Sequence, residues 1–213
     1  MLQDVAATIK DTHSFHLSGA LSTGGTSPVS LDLQIARPDT VAGSLTIMGA
    51  TAQLVLANGD AFLQGRTFIQ LLAGQQVAAT VGDQWVRLPA ASVTGLQRGF
   101  ELIADTSRFG GCLVSSGKKT SLRQSATTIN GASVIEIKGG DGTLDVLNAS
   151  KPFPVRFGIN GTSGLGSGTA ACSPSGSTSG SSVNTVGVLK FDHWGSSFTV
   201  TPPANYLDLS TAG

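Results

Sequence analysis

From Val29 to Ile35 every odd-numbered residue is apolar and every even-numbered one is polar. Only a strand with one buried and one wetted face repeats with that period. The pattern does not stop there. Arg37-Pro38-Asp39 turns the chain, and Val41, Leu45 and Ile47 resume the alternation. Ala52-Gln53-Leu54-Val55-Leu56 follows, then Asn58-Gly59, whose two residues both tolerate positive φ and so mark a tight hairpin. Ala61-Phe62-Leu63-Gln64 is the return strand. With Phe15-His16-Leu17-Ser18-Gly19 in front, the stretch from Phe15 to Gly65 reads as a meander of about five strands.

Leu2, Val5, Ala6 and Ile9 fall on one face of a helix over Leu2–Thr12, ahead of the meander. After it the period changes. Phe68, Ile69, Leu72, Val77 and Val81 predict one or two short helices interrupted near Gly74, and Gly82–Pro89 predicts a turn and a short extended piece. Leu96, Phe100 and Ile103 share a helical face, and Asp105 or Thr106 could cap a turn leading to Phe109 and Cys112. Strands resume at Ser121–Ile129, with a second Asn-Gly turn at Asn130-Gly131, then at Ser133–Ile137 and Thr143–Leu147. Pro152-Phe153-Pro154 leads into a strand start or an edge, because proline donates no ladder hydrogen bond. Val155, Phe157 and Ile159 alternate after it. Gly161–Ser182 is Gly/Ser/Thr-rich and reads as a flexible loop within one domain spanning 1–213, because strand signals return at Val186–Phe191 and Phe198–Val200. Pro202-Pro203 is expected to end the sheet.

Lys+Arg and Asp+Glu balance at 13 each, and charged residues make up only 12% of the chain. Nucleic acid as a partner would need a basic excess. The nearest approach to one, Lys118, Lys119 and Arg123, reads as a solvated strand end; the alternative is a contact with the anionic headgroups of a membrane surface. No apolar run approaches the roughly 20 residues of a membrane span. Either the protein is cytoplasmic or Met1 replaces a removed export segment, and the Gly, Ser and Thr content and the scarcity of charge fit an exported protein better. In an exported chain Cys112 and Cys172 are expected to pair as a disulfide. Closing that loop of about 60 residues would stabilise the fold by roughly 3–4 kcal/mol. The other reading is two separate buried thiols.

No catalytic constellation emerges. A Gly-x-Ser-x-Gly elbow is absent. Gly111–Lys119 resembles a phosphate loop but has one residue too many between its glycines, and Lys119 stands where Ser or Thr should meet magnesium. His13 and His16 lack an acidic or cysteine partner at ligand spacing and read as histidines of a helix-to-strand boundary. His193 follows Asp192 directly, and neighbours in a regular strand point to opposite faces, so Asp192 is not expected to orient His193. Glu101 and Glu136, the only glutamates, sit on elements of different type, and nothing nominates a carboxylate pair for hydrolysis. Two Asn-x-Ser/Thr triplets, at Asn148 and Asn160, carry no weight here. The residues point to no enzyme, no cofactor and no metal.

Several segments together resemble a known family. They are His13–Gly19, Gly82–Pro89, Thr128-Ile129-Asn130-Gly131 with Val134–Ile137, and Trp194-Gly195 with Phe198–Pro203. In order, they are similar to the mycobacterial and actinobacterial lipid-carrier lipoproteins of the LppX/LprG type. The resemblance implies an α+β, LolA-like fold: a curved antiparallel half-barrel with helices packed on its concave face. It further implies an exported protein held at the cell envelope through an N-terminal cysteine. That cysteine is missing from this sequence, which would then be a truncated form. The Gly161–Ser182 segment and its Cys172 match nothing in the family pattern.

A half-barrel of that size is not filled by its own side chains, so helices must plug it. If they plug it incompletely, an apolar cavity of roughly 300–1,000 Å³ remains, enough for acyl chains. The expected lining is Leu31, Leu33, Leu45, Ile47, Leu54 and Leu56 from the meander, with Ile69, Leu72, Phe100 and Ile103 from the helical middle. These considerations lead to a non-enzymatic lipoprotein that binds or carries acylated lipid or another hydrophobic ligand. The competing expectation is a structural or sensory envelope module with a collapsed, ligand-free core and a protein partner of unknown identity. An envelope hydrolase is a third.

Overall fold

The computed structural model describes residues 1–23, 27–36, 40–89, 122–139, 142–161 and 185–209. Helix α1 (Leu2–Lys10) leads into five strands: β1 (Ser14–Thr23), β2 (Val29–Ala36), β3 (Thr40–Ile47), β4 (Ala50–Ala57) and β5 (Asp60–Gln64). Two short helices, α2 (Arg66–Ala73) and α3 (Gln75–Val81), meet at Gly74, whose φ of 87° breaks the helical path. The strand β6 (Trp85–Arg87) follows. The second strand set is β7 (Arg123–Ile129), β8 (Ala132–Gly139), β9 (Gly142–Leu147), β10 (Pro154–Gly161), β11 (Thr185–Asp192) and β12 (Tyr206–Asp208). Among the described residues no helix is long and apolar enough to cross a membrane. The expected helix carrying Leu96, Phe100 and Ile103, the pair Cys112 and Cys172, and the Gly/Ser-rich loop after Gly161 lie outside the described residues.

Among the described residues, all twelve strands form one sheet in the order β12-β6-β5-β4-β3-β2-β1-β11-β10-β9-β8-β7. The meander lies in sequence order, as its local turns dictate. Asn58-Gly59 and Asn130-Gly131 both take left-handed φ values, 56° and 81° in the first and 49° and 81° in the second, so both hairpins are of the mirror-image type that suits twisted strands. A third turn of this kind joins β3 to β4 at Met48-Gly49, with φ of 52° and 79°. The two strand sets meet where β1 pairs antiparallel with β11, from His16 opposite Asp192 to Thr23 opposite Thr185.

One face of the sheet carries the main core. Leu17, Leu33, Gly43, Leu54, Leu63 and Val86 are successive cross-strand partners from β1 to β6, and Leu17 continues the row to Phe191 in β11. Val5 and Ile9 of α1, Phe68 and Ile69 of α2, and Ala78 and Val81 of α3 are buried in the same cluster. Burying a side chain such as Ile9 contributes roughly 1.5–3 kcal/mol. Twisted sheets of more than about ten strands must curl or flatten. Mid-strand glycines are where such a sheet can bend. Gly19, Gly43 and Gly187, with φ of 149°, 146° and 154°, occupy core-face positions in β1, β3 and β11.

Three expectations need correction. The sheet is antiparallel except at one edge, where β12 runs parallel to β6. Pro202-Pro203 therefore does not end it, because β12 follows. Phe198–Val200 is not a strand. The chain from His193 instead forms a strap. Ser14 holds its start: the Gly195 amide donates to the Ser14 carbonyl, and the Ser14 hydroxyl donates to the Ser196 carbonyl. Val200 then packs on the opposite face of the sheet, against Val55, Ala57 and Phe62. Tyr206 stacks edge-on to Phe62 at 5.0 Å, and Arg87 bridges Asp60 (2.7 Å) and Asp208 (3.2 Å). A short strand-like stretch that runs into Pro202-Pro203 thus serves as a cover for a small second core, a role that local alternation does not distinguish from a strand.

Candidate functional site

The expected ligand-lining residues of the meander share one face, as their parity requires. Leu33, Leu45, Leu54 and Leu56 are buried in the main core, and Leu31 and Ile47 are half-buried against it. Ile69 joins them from α2. Leu72 does not: it is 62% exposed. Helix α2 is only two turns long, and it is Phe68 and Ile69 that reach the core before Gly74 redirects the chain. Phe100 and Ile103 lie outside the described residues.

Burial of this face is uneven. Leu21, Val29 and Ile47 form one cross-strand row at the end of β1, β2 and β3, and each is only half-buried, as is Leu31 in the next row. Met48, at the tip of the adjoining turn, is 66% exposed. The opposite end of the same strands is sealed. There Phe15 is buried against an aromatic stack with Trp194, centroids 4.7 Å apart, and Trp194 also stacks on Phe153 at 5.1 Å while its Nε1–H donates to the Pro154 carbonyl at 2.8 Å. The core face therefore has a closed end and a half-open rim. Leu21 and Val29 were not among the expected lining residues, although their parity with Leu31 would have included them.

A second constellation lies on the other face, across the seam between the two strand sets. His16 sits directly opposite Asp192 in the β1–β11 pair, and its Nδ1 lies 2.7 Å from Asp192 Oδ1. Its Nε2 lies 3.0 Å from Asp32 Oδ1. Carboxylates only accept, so both ring nitrogens of His16 donate and the ring is an imidazolium in this arrangement. His193 Nδ1 also lies 2.7 Å from Asp192 Oδ1. Regular strand geometry would have kept these neighbours apart. It fails because His193 takes φ of 52°, a left-handed value that folds its ring back onto Asp192.

Burial opposes the charge on His16, but the hydrogen bonds and negative charges of Asp32 and Asp192 outweigh it and raise the imidazole above its ordinary value. Burial likewise opposes the charge on Asp192, and its bonds to His193 and His16 outweigh this and lower its carboxyl. The stabilisation from His16 is complete below the ordinary imidazole value of 6.5 and is lost as pH rises through the raised one. That from Asp192 is complete above 3.8 and is lost as pH falls through the lowered value. In the presence of a chelator, this cluster should add most to stability between those two values. Replacing His16 with Gln should flatten the alkaline side of that window in a series of thermal melts. An unchanged pH profile in His16→Gln would show that the cluster contributes nothing to folding.

No family model matches the chain, and no curated protein matches it in sequence. Among solved structures, a LolA superfamily protein from Nitrosomonas europaea is similar at 8% identity and a TM-score of 0.31, over 94% of this chain and 93% of that one. A likeness of that degree carries neither fold nor function from one chain to the other. The plain structural finding, among the described residues, is a large, antiparallel-dominated sheet with few helices, apolar on one face and unevenly covered there.

Proposed function

We propose that this protein is a non-enzymatic carrier of hydrophobic ligands, acylated lipids foremost, with its ligand held between the core face of the sheet and the helices in a LolA-like half-barrel. The observation that carries this reading is the half-open rim: Leu21, Val29, Leu31 and Ile47 in contiguous cross-strand positions, with Met48 exposed beside them. Aliphatic residues gathered at one edge of a core and left partly in water mark a surface that something apolar completes. Acyl chains passing this rim would run toward Leu33, Leu45, Leu54 and Leu56. The sealed aromatic end would stop them. Export to the cell envelope fits the low charge and the Gly/Ser/Thr content, and the disulfide between Cys112 and Cys172 belongs to the same proposal.

Organic extraction of the purified protein followed by mass spectrometry tests the carrier reading, with acylated lipid expected at near one equivalent. Leu33→Trp tests the placement, because it fills space on the core face without adding charge. The variant should fold with the wild-type circular dichroism spectrum and retain little lipid. A folded Leu33→Trp protein that holds lipid at the wild-type level would refute the placement. Wild-type protein from its native source that never carries lipid would leave the structural or sensory module as the better reading.

A further inference from the structure

We propose that His16, Asp192 and His193 form a zinc-binding site, with Asp32 as the carboxylate that fixes the His16 ring. Each of the three residues offers one ligand atom within 4.8 Å of the other two, and Nδ1 of His16 and Nδ1 of His193 each lie 2.7 Å from Asp192 Oδ1. Around a tetrahedral zinc with bonds of roughly 2.0–2.1 Å, such atoms stand about 3.3 Å apart. Small rotations of side chains that are already close reach that arrangement. Two imidazoles and one carboxylate suit zinc and not the hard, oxygen-seeking magnesium or calcium. Three protein ligands leave a fourth position for water.

Two features show that the set is built and not merely adjacent. Asp32 accepts from Nε2 of His16 at 3.0 Å, so Nδ1 is the nitrogen left to face the metal once its proton is released. A carboxylate behind a ligating histidine in this way orients the ring and raises its basicity. Second, His193 joins the group only because its backbone takes φ of 52°. Left-handed backbone at a residue other than glycine costs on the order of 1–3 kcal/mol and gathers at functional sites. Its ring also stands edge-on to that of His16, 5.9 Å between centroids, with both Nδ1 atoms turned to the same carboxylate oxygen. The three ligands come from β1, from the end of β11 and from the residue just after β11, so a bound ion would clasp the two strand sets at their seam. The site is on the face opposite the apolar core, and the proposal stands or falls independently of lipid binding.

The test is isothermal titration of Zn²⁺ into the full chain after chelator treatment and removal of any affinity tag, with Co²⁺ absorption as the spectroscopic readout. One saturable site and the visible bands of tetrahedral cobalt are expected in the wild type. His193→Ala, at an exposed position, should fold normally and lose both signals, and His16→Ala should do the same. Asp32→Asn should keep the site but weaken it by about 10–100-fold, the usual cost of losing such a supporting carboxylate. His13→Ala should bind as the wild type does. Absence of a saturable site in the wild type would overturn the proposal. So would a folded His193→Ala protein that binds zinc undiminished, which would place the metal elsewhere on the chain, on Cys112 and Cys172 for example.

Discussion

Gly43→Ala is expected to deprive the chain of its native sheet. Gly43 sits mid-strand in β3 between Leu33 and Leu54, with φ of 146°, and a Cβ there would drive into the Asp32 carbonyl and come within 2.9 Å of the Leu33 Cα. The obstacle is backbone, so no rotamer change relieves it. Restoring an ordinary φ would instead shift β3 against β2 and β4, with which it pairs on both sides. Losses beyond about 4 kcal/mol are exceptional for one substitution, and this position combines the two causes that produce them, overpacking and a forbidden backbone. Gly59→Ala supplies the comparison. Gly59 also has positive φ, 81°, but its added Cβ would meet nothing within 4 Å. Its cost should be only the roughly 1–2 kcal/mol of a left-handed alanine. Urea denaturation should therefore show a cooperative but weakened Gly59→Ala protein, and an insoluble or non-cooperative Gly43→Ala one. Equal, mild losses in both would show that the positive φ and close backbone approach at Gly43 are dispensable.

The second large effect is expected at Arg156. Asp145 is fully buried between β8 and β10, flanked by Glu136 on one side and Arg156 on the other. Its Oδ2 accepts from Arg156 Nε at 2.6 Å, and its Oδ1 has no hydrogen-bond partner. Glu136 is occupied by Lys138 at 2.8 Å, whose hydrogen bond heads the causes lowering its carboxyl, with the Ser125 hydroxyl also donating to it. Removing Arg156 leaves a buried carboxylate facing another carboxylate. Breaking a buried pair from one side costs roughly 3–5 kcal/mol, and the lower figure applies because Arg156 is itself 41% exposed. Arg156→Met should lose about 3 kcal/mol. The double variant Arg156→Met/Asp145→Leu should regain most of it, since replacing both members of a buried pair with apolar groups is close to neutral. A double variant no better than the single one would locate the loss in packing around Arg156 and not in the stranded charge.

What could be read from sequence was what is local. The meander was legible because period-two alternation and Asn-Gly turns are decided within a few residues. The Met48-Gly49 turn was not, because methionine carries no left-handed preference and its conformation is imposed by the strands it joins. The strap over Val55 and Phe62 was hidden because Phe198–Val200 has the composition of a strand, and only the distant second core tells it otherwise. The candidate sites divide the same way. Parity alone placed Leu31, Leu33, Leu45, Ile47, Leu54 and Leu56 on one face. The meeting of His16, Asp32 and Asp192 depends on β11 lying beside β1, and His193 enters by a backbone angle that breaks the rule used to dismiss it.

The order of the strands also sets the order in which the protein can be made. His16 and Asp192 are 176 positions apart, yet they sit side by side. While the chain is being synthesised, the meander from β1 to β5 has all its own partners in hand and is free to form early. The outer edge of β1, however, waits for a strand that emerges almost last. Such high contact order slows the search for the native state and leaves a row of unpaired amides and carbonyls open to pairing with another chain in the interval. The newborn chain thus keeps an open strand edge until Thr185–Asp192 arrives, and truncation before β11 is expected to leave that edge of β1 free to pair with a second copy.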